Sequence, residues 1–377
     1  MKIPVSKPLI SNKATKYVNE ALSEKSLSGL FGKFIPKFEE EFADYCGTKH
    51  AISCSSGTAA LHLPLAASGL KEGDEVLVST LTNMATFFAV IYTGAKPVPV
   101  DIEMDTLNIS FEDLKRKVTK RTKAILLVHL FGHPADLNPI LEFAKSNNLD
   151  VFEDCAEAHG AEYYGKRVGS FGKAGCFSLF ANKIITAGEG GVITTNDGDL
   201  NLKMRNLKSL AFGDKDKFQH KDIGYNYRFS NIQAAVACEQ LENISHLVKR
   251  RIEIAEFYNK EFESLSDFIN LPIQRPCSKN VYWMYHMVLN PNEKLFNKRD
   301  VICKELSKKG IETRQGFVPF NLQKIFIDKK MTKPNDCPNA IATSGSSFYI
   351  PTGPDISEKE LKYVASNFLE IIDKLIN

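Results

Sequence analysis

The chain has 377 residues, 43% of them hydrophobic and 25% charged, and its 48 basic and 45 acidic side chains leave a formal net charge of +3. Such a chain can bury a large core with room for a second, smaller domain; it is neither a disordered tail nor a polybasic protein, and its scattered cations give no stripe for nucleic acid. The start, MKIPVSKPLIS, has no apolar run of leader length, and no stretch approaches the roughly twenty apolar residues that cross a bilayer, so a cytoplasmic protein with no membrane partner is expected.

In chain order, β-rich apolar runs predict strands at 75–79, 97–102, 124–131, 150–154, 175–180 and 191–195. Amphipathic segments at 58–70, 83–92, 139–146 and 200–210 predict the helices between them, and the basic run 115–123 reads as a solvated helix end beside a strand. Alternation of this kind predicts an α/β fold with a mostly parallel sheet. From Asn231 to Leu265 apolar residues recur at spacings of three and four, predicting one long helix that links two domains. Beyond it, the strand-like VYWMYHMVL (281–289), a helix at 298–309, a strand near Ile311 and a terminal helix at 358–376 predict a small α+β domain, giving units 1–240 and 241–377. Eight cysteines without any CxxC pair read as free thiols, with Cys155, Cys176 and Cys238 set among apolar or small residues as buried hydrophobes.

Three segments carry chemistry. In SSGTAALHL (55–63), small residues and Gly57 precede a helix, where free N–H groups and the positive dipole end make an anion site worth about 0.3–1 kcal/mol per exposed charge. A phosphate fits there; the plainer alternative is that Ser56 or Thr58 only caps the helix. In VFEDCAEAHG (151–160), an apolar strand runs into carboxylates, and Asp154 stands where open α/β sheets bind ligands. A carboxylate there can hold a pyridine nitrogen protonated, as pyridoxal chemistry requires. In CFSLFANKIITAGEGGV (176–192), Lys183 leaves a strand ahead of a glycine-rich turn. A desolvated lysine becomes a nucleophile toward carbonyls, although a single lysine after a strand is more often a surface residue. Metal is not expected: His129, His133 and His159 accompany Glu153 and Glu157 at spacings that match no metal motif, and His129 reads as bonded to nearby backbone.

With SSGTAALHL, EDCAEAHGA, FSLFANKIITAGEGGVITTND, GYNYRFSNIQAA and, more weakly, GIETR, almost the whole chain resembles the DegT/DnrJ/EryC1/StrS aminotransferases. These are fold-type I pyridoxal 5'-phosphate enzymes acting on sugar nucleotides. The resemblance implies a mixed, mostly parallel seven-stranded sheet with helices on both faces, 1–240 as the cofactor-binding domain and 241–377 as the C-terminal one. It implies that Lys183 bonds the cofactor, that Asp154 pairs with its ring nitrogen, and that Glu157 lies near the phenolic oxygen or the incoming sugar. Gly57, Thr58 and Ser178 would hold the phosphate, and Asn226 of GYNYR would reach the cofactor phosphate of a partner subunit in a homodimer. A dehydrating subgroup carries His in place of the lysine; Lys183 therefore implies amino transfer, with L-glutamate as donor by family analogy.

EDCAEAHGA, NKIITAGEGG and GYNYR look closest to the perosamine synthase branch, which aminates C4 of keto-deoxy sugars, so a keto-sugar nucleotide of the 4-keto-6-deoxyhexose type is the expected acceptor, for surface polysaccharide synthesis. Three residues depart from the pattern. Asn83 replaces an aromatic residue over the ring, and Gln315 and Asn321 replace a proline and a histidine near the substrate mouth. They leave a small phosphorylated ketone, such as dihydroxyacetone phosphate, as an alternative acceptor. A non-catalytic protein on the same scaffold is a further alternative, against which the intact Asp154 and Lys183 stand.

Overall fold

The computed structural model describes residues 2–213, 216, 218–220, 222–291 and 293–377. The strands in chain order are β1 (His50–Cys54), β2 (Glu75–Ser79), β3 (Lys96–Val100), β4 (Thr122–Val128), β5 (Asp150–Asp154), β6 (Glu162–Tyr163) and β7 (Lys166–Arg167). They continue with β8 (Ala174–Ser178), β9 (Gly191–Thr195), β10 (Ile269–Asn270), β11 (Ser278–Lys279), β12 (Tyr285–Leu289), β13 (Arg314–Gln315) and β14 (Ser347–Ile350). The helices are α1 (Asn12–Ser23), α2 (Phe34–Cys46), α3 (Gly57–Ala67), α4 (Met84–Tyr92), α5 (Phe111–Lys117), α6 (Leu137–Ser146) and α7 (Gly198–Leu207). After these come α8 (Asn231–Glu242), α9 (Ile244–Glu261), α10 (Arg299–Lys308), α11 (Lys324–Asp328), α12 (Pro338–Ser344) and α13 (Glu358–Ile376).

The main sheet has the order β1-β9-β8-β5-β4-β2-β3. Every pairing from β3 across to β8 is parallel, and β9 runs antiparallel to both β8 and β1, which makes the sheet mixed and mostly parallel, as expected. Its strands are largely buried, with apolar residues at their centres, because both faces are covered. Val76 and Val78 of β2 pack with α3, α4 and α7 on one face, while Leu77 between them packs with Leu114 of α5 and Ile140 of α6 on the other. A second sheet, β10-β12-β14-β13, packs with α9, α10 and α13 around Tyr258, Phe262, Phe348 and Phe368. The first residues of the chain join that unit: Ile3 pairs with Ile311, and Val5 accepts from Thr352. A third, small sheet joins β11 to β6 and β7.

Three expectations need correction. The long helix predicted from Asn231 is two helices, broken at Asn243. There the side-chain amide donates to Glu239 O at 3.0 Å and to Glu239 Oε1 at 2.7 Å, and the backbone turns to φ −99°, ψ 1°; asparagine competes for helical carbonyls in this way. The strand near Ile311 is a single bridge, with the paired strand following at Arg314–Gln315. The predicted strands 124–131 and 175–180 end early, at Val128 and Ser178, because the chain leaves the sheet at those points to build the site. All eight cysteines are free thiols, and Cys155, Cys176 and Cys238 are fully buried as expected. Among the described residues no helix is long and apolar enough to cross a membrane.

Candidate active site

A cavity of about 300 Å³ opens at the carboxyl edge of the main sheet. Residues that follow four parallel strands meet there: Gly57 and Thr58 after β1, Asn83 after β2, Asp154 and Glu157 at the end of β5, and Ser178 and Lys183 from β8 onward. In an open α/β sheet this edge is where ligands bind.

At the phosphate-sized end, Ser56 does cap α3, its Oγ accepting from Ala59 N at 3.1 Å. The cap and the anion site are compatible, since Gly57 and Thr58 are the first helical residues, whose N–H groups have no intrahelical acceptor. Gly57 has a steric reason to be glycine: a Cβ there would stand 2.7 Å from the Ser178 Cβ. The helix start and the end of β8 thus approach as closely as backbone allows, and the Ser178 hydroxyl comes beside the N-terminus of α3.

The carboxylates at the end of β5 separate by strand alternation. Glu153 is fully buried; its Oε1 accepts from Phe171 N and Gly172 N (2.9 and 2.7 Å), and its Oε2 accepts from Gly169 N at 2.8 Å and from His129 Nε2 at 3.1 Å. His129 Nδ1 accepts from Ala135 N at 3.0 Å, which leaves Nε2–H as the donor to Glu153 and places this histidine on nearby backbone as expected. His129, Glu153 and Cys155 come close enough to hold a metal ion, but their nitrogen and carboxylate lone pairs are committed to this network. The hydrogen bonds, with His129 foremost, hold the Glu153 carboxyl below its ordinary range against the cost of burial.

Asp154 points into the cavity. Its Oδ2 accepts from the Thr86 hydroxyl at 2.8 Å, itself 2.9 Å from the Thr82 hydroxyl, and its Oδ1 accepts from Ala156 N at 3.0 Å. Each oxygen keeps a lone pair for a further donor. Burial raises the Asp154 pKa, and the two hydrogen bonds and the Lys183 charge oppose the rise.

Lys183 is almost enclosed, with its side chain 11% exposed. Its Nζ lies 3.8 Å from Glu157 Oε1 and 3.6 Å from the centre of the Trp283 ring. Burial lowers the lysine pKa, opposed by Glu157 and then Asp154. The same burial pushes Glu157 up to about 7, opposed by Lys183 and by the Phe131 N–H that donates to Oε2 at 2.8 Å. Phe180, Asn182, Phe317 and Tyr349 complete the walls around the lysine.

Of the residues singled out in the sequence, Gly57, Thr58, Asn83, Asp154, Glu157, Ser178 and Lys183 line this one cavity. Asn83 caps α4 through Ala85 N at 3.0 Å. Asn226 does not line it: it is exposed on the segment that pairs with Ser209. Gln315 and Asn321 are not among the residues that line the cavity. Gln315 is exposed on β13, and Asn321 is fully buried, accepting from Thr80 Oγ1 at 2.8 Å and donating to Pro334 O at 2.7 Å. Sequence reasoning missed Thr82, Thr86, Phe317, Tyr349 and Trp283. Only Trp283 carried a signal, as the sole tryptophan in an otherwise core-like apolar run.

A profile of the DegT/DnrJ/EryC1/StrS aminotransferase family matches residues 8–369. The chain belongs to this family. GDP-perosamine synthases of Caulobacter vibrioides and Escherichia coli O157:H7 are each 39% identical to it, over 371 and 368 residues, covering 98% of both chains in each case. The X-ray crystal structure of S. venezuelae DesV in complex with a ketimine intermediate superposes with a TM-score of 0.88 at 31% identity, covering 95% of this chain and 93% of that one. The protein is thus a fold-type I, pyridoxal phosphate-dependent aminotransferase, as the resemblance implied. Its own residues fit that cofactor: a helix start cleared by Gly57, an acid with spare lone pairs, and a desolvated amine all face one cavity.

Proposed function

We propose that this aminotransferase moves an amino group from L-glutamate to a keto-sugar nucleotide of the 4-keto-6-deoxyhexose type, in the cytoplasm and for surface polysaccharide synthesis. The observation that carries the chemistry is the enclosed Lys183 amine between the Glu157 carboxylate and the Trp283 ring. The acceptor rests on near full-length identity with the two GDP-perosamine synthases. A small phosphorylated ketone has less support: Asn83, one of the three altered residues that suggested it, does line the cavity, but relatives matched over nearly the whole chain are named for nucleotide-sugar products.

Pyridoxal phosphate, when bound, supplies an aldehyde that takes up amines and a ring that takes up electrons. Lys183 would bond it and, once free, its neutral amine would accept a proton from the substrate carbon and return it to carbon, a task suited to a lysine whose pKa burial has lowered. Asp154, braced by Thr86 and Ala156, would pair with the ring nitrogen and stay ionised against that protonated partner. Gly57, Thr58 and Ser178 would hold the phosphate at the α3 N-terminus. Glu157 stands beside the reacting amine, and Asn83 lines the cavity at the start of α4.

The homodimer is part of this reading. Asn226 is exposed and does not line its own cavity, and Phe31, Tyr92 and Ile223 are 70, 57 and 83% exposed, which suits a covered face. Offered a panel of keto-sugar nucleotides and small keto phosphates, the aminated form of the enzyme is expected to convert a 4-keto-6-deoxyhexose nucleotide, followed by mass spectrometry. Amination of the small phosphates alone would overturn the acceptor.

A further inference from the structure

Trp283 lies outside every motif that carries the family resemblance, yet it supplies the surface on which the Lys183 ammonium rests. A cation over an indole face is drawn to the ring's negative quadrupole, most strongly where water is excluded. At 3.6 Å from the ring centre and 3.8 Å from Glu157 Oε1, the amine has an aromatic floor and a carboxylate wall.

Both surfaces are tied to a single residue. The Phe131 N–H donates to Glu157 Oε2 at 2.8 Å, and the Phe131 carbonyl accepts from Trp283 N–H at 3.0 Å. Phe131 does this in the left-handed region, at φ 52°, which is rare for a bulky side chain. Gly132 follows at φ 97°, where a Cβ would come within 2.9 Å of the backbone nitrogens of Trp283 and Tyr282. Trp283 is held by two further bonds, one to its ring and one to its backbone. Its Nε1–H donates to Asn182 O, the residue before Lys183, at 2.8 Å, and the buried Arg251 guanidinium donates to Trp283 O at 2.7 Å.

We propose that Trp283 and Glu157 form a resting seat for the free, protonated amine of Lys183, the place this side chain occupies when it is neither bonded to the cofactor nor moving a proton, with Phe131 fixing the spacing of the two surfaces. The inference rests on Lys183 being the cofactor lysine. Trp283 is then a positioning residue: it attracts the ammonium without a hydrogen bond that would have to break when the amine returns to work. The charged and titratable groups around the seat divide. Glu157 and Asp154 favour the ammonium, the Arg251 charge opposes it, His159 is held neutral by burial with its pKa near 3, and Tyr349 stands beyond Glu157.

The test compares the full-length wild type with Trp283→Phe and Trp283→Leu, freed of cofactor. Each is acetylated with trace acetic anhydride across a pH series, and the peptide bearing Lys183 is quantified by mass spectrometry. Only the neutral amine reacts, so the pH midpoint reads how well the seat holds the ammonium. Leucine is expected to lower the midpoint by about half a unit to one and a half units, and phenylalanine, which keeps a weaker ring face, by less. Turnover of the loaded leucine variant should fall with little change in KM for the keto acceptor. Unchanged midpoints, or equal shifts in the two variants, would overturn the seat. Should the leucine variant fail to fold, the phenylalanine midpoint decides: a lowered value supports the seat and an unmoved one overturns it. Failure of the cofactor-lysine reading shows separately, as wild-type protein whose Lys183 peptide is unmodified after pyridoxal phosphate and borohydride.

Discussion

Glu153 and Asp154 are neighbours at the end of one strand, both buried, both carboxylates, and they do opposite things. Glu153 faces backbone: Phe171, Gly172 and Gly169 N–H groups and His129 use up its lone pairs, and its pKa falls. Asp154 faces the cavity with fewer donors, and its pKa rises. Glu153 is therefore a fold-holding group and Asp154 a group under electrostatic strain, which a protonated ring nitrogen would relieve. A carboxylate in a sequence becomes a candidate site residue only when its hydrogen-bond capacity is left unfilled.

Substitutions can break or sharpen that contrast. The largest effect is expected on the cavity side, where Lys183→Ala should lower turnover about ten-thousandfold or more with an unchanged circular dichroism spectrum; retained activity would remove the lysine from the chemistry. Asp154→Asn should lower kcat about a hundredfold or more while leaving the melting temperature unchanged or raised, because it removes a buried charge. Glu153→Gln should do the reverse, costing about 2–4 kcal/mol of stability in chemical denaturation while the folded fraction keeps turnover within a few-fold.

Acid sharpens the last comparison. Since the folded Glu153 pKa lies below its ordinary 4.5, its stabilisation is complete above that pH and is lost as pH falls through the folded value. The stability gap between wild type and Glu153→Gln should then narrow on acidification below pH 4.5; a gap independent of pH would show that the charge is not what holds the Gly169–Gly172 turn. A smaller change is expected for Glu157→Gln. With Glu157 near 7 beside Lys183, the wild-type pH–rate profile should bend near neutrality, and the glutamine variant should lose that bend.

Much of this was legible in the sequence. The bounds of β2, β5 and β9 follow from apolar runs with clear edges, and six of the residues that line the cavity, Gly57, Thr58, Asp154, Glu157, Ser178 and Lys183, stand in motifs where glycine, carboxylate or lysine interrupts such a run. The parts that escaped depend on distant packing. The break at Asn243 turns on a side chain competing with backbone, invisible to a three-and-four periodicity. Thr86 and Trp283 join the site through folding across 68 and 100 residues, from Asp154 and Lys183 respectively, with no local pattern to announce either. Asn321 misled for the same reason in reverse, since a polar residue near the expected mouth is tied into the interior by Thr80 and Pro334.

Whether Lys183 bonds the cofactor is decided by loading the protein with pyridoxal phosphate, reducing it with borohydride and mapping the modified peptide. A single stable adduct on Lys183 is expected, with the visible absorbance of the loaded protein lost on reduction. An adduct on another lysine, or none in protein that has bound the cofactor, would contradict it.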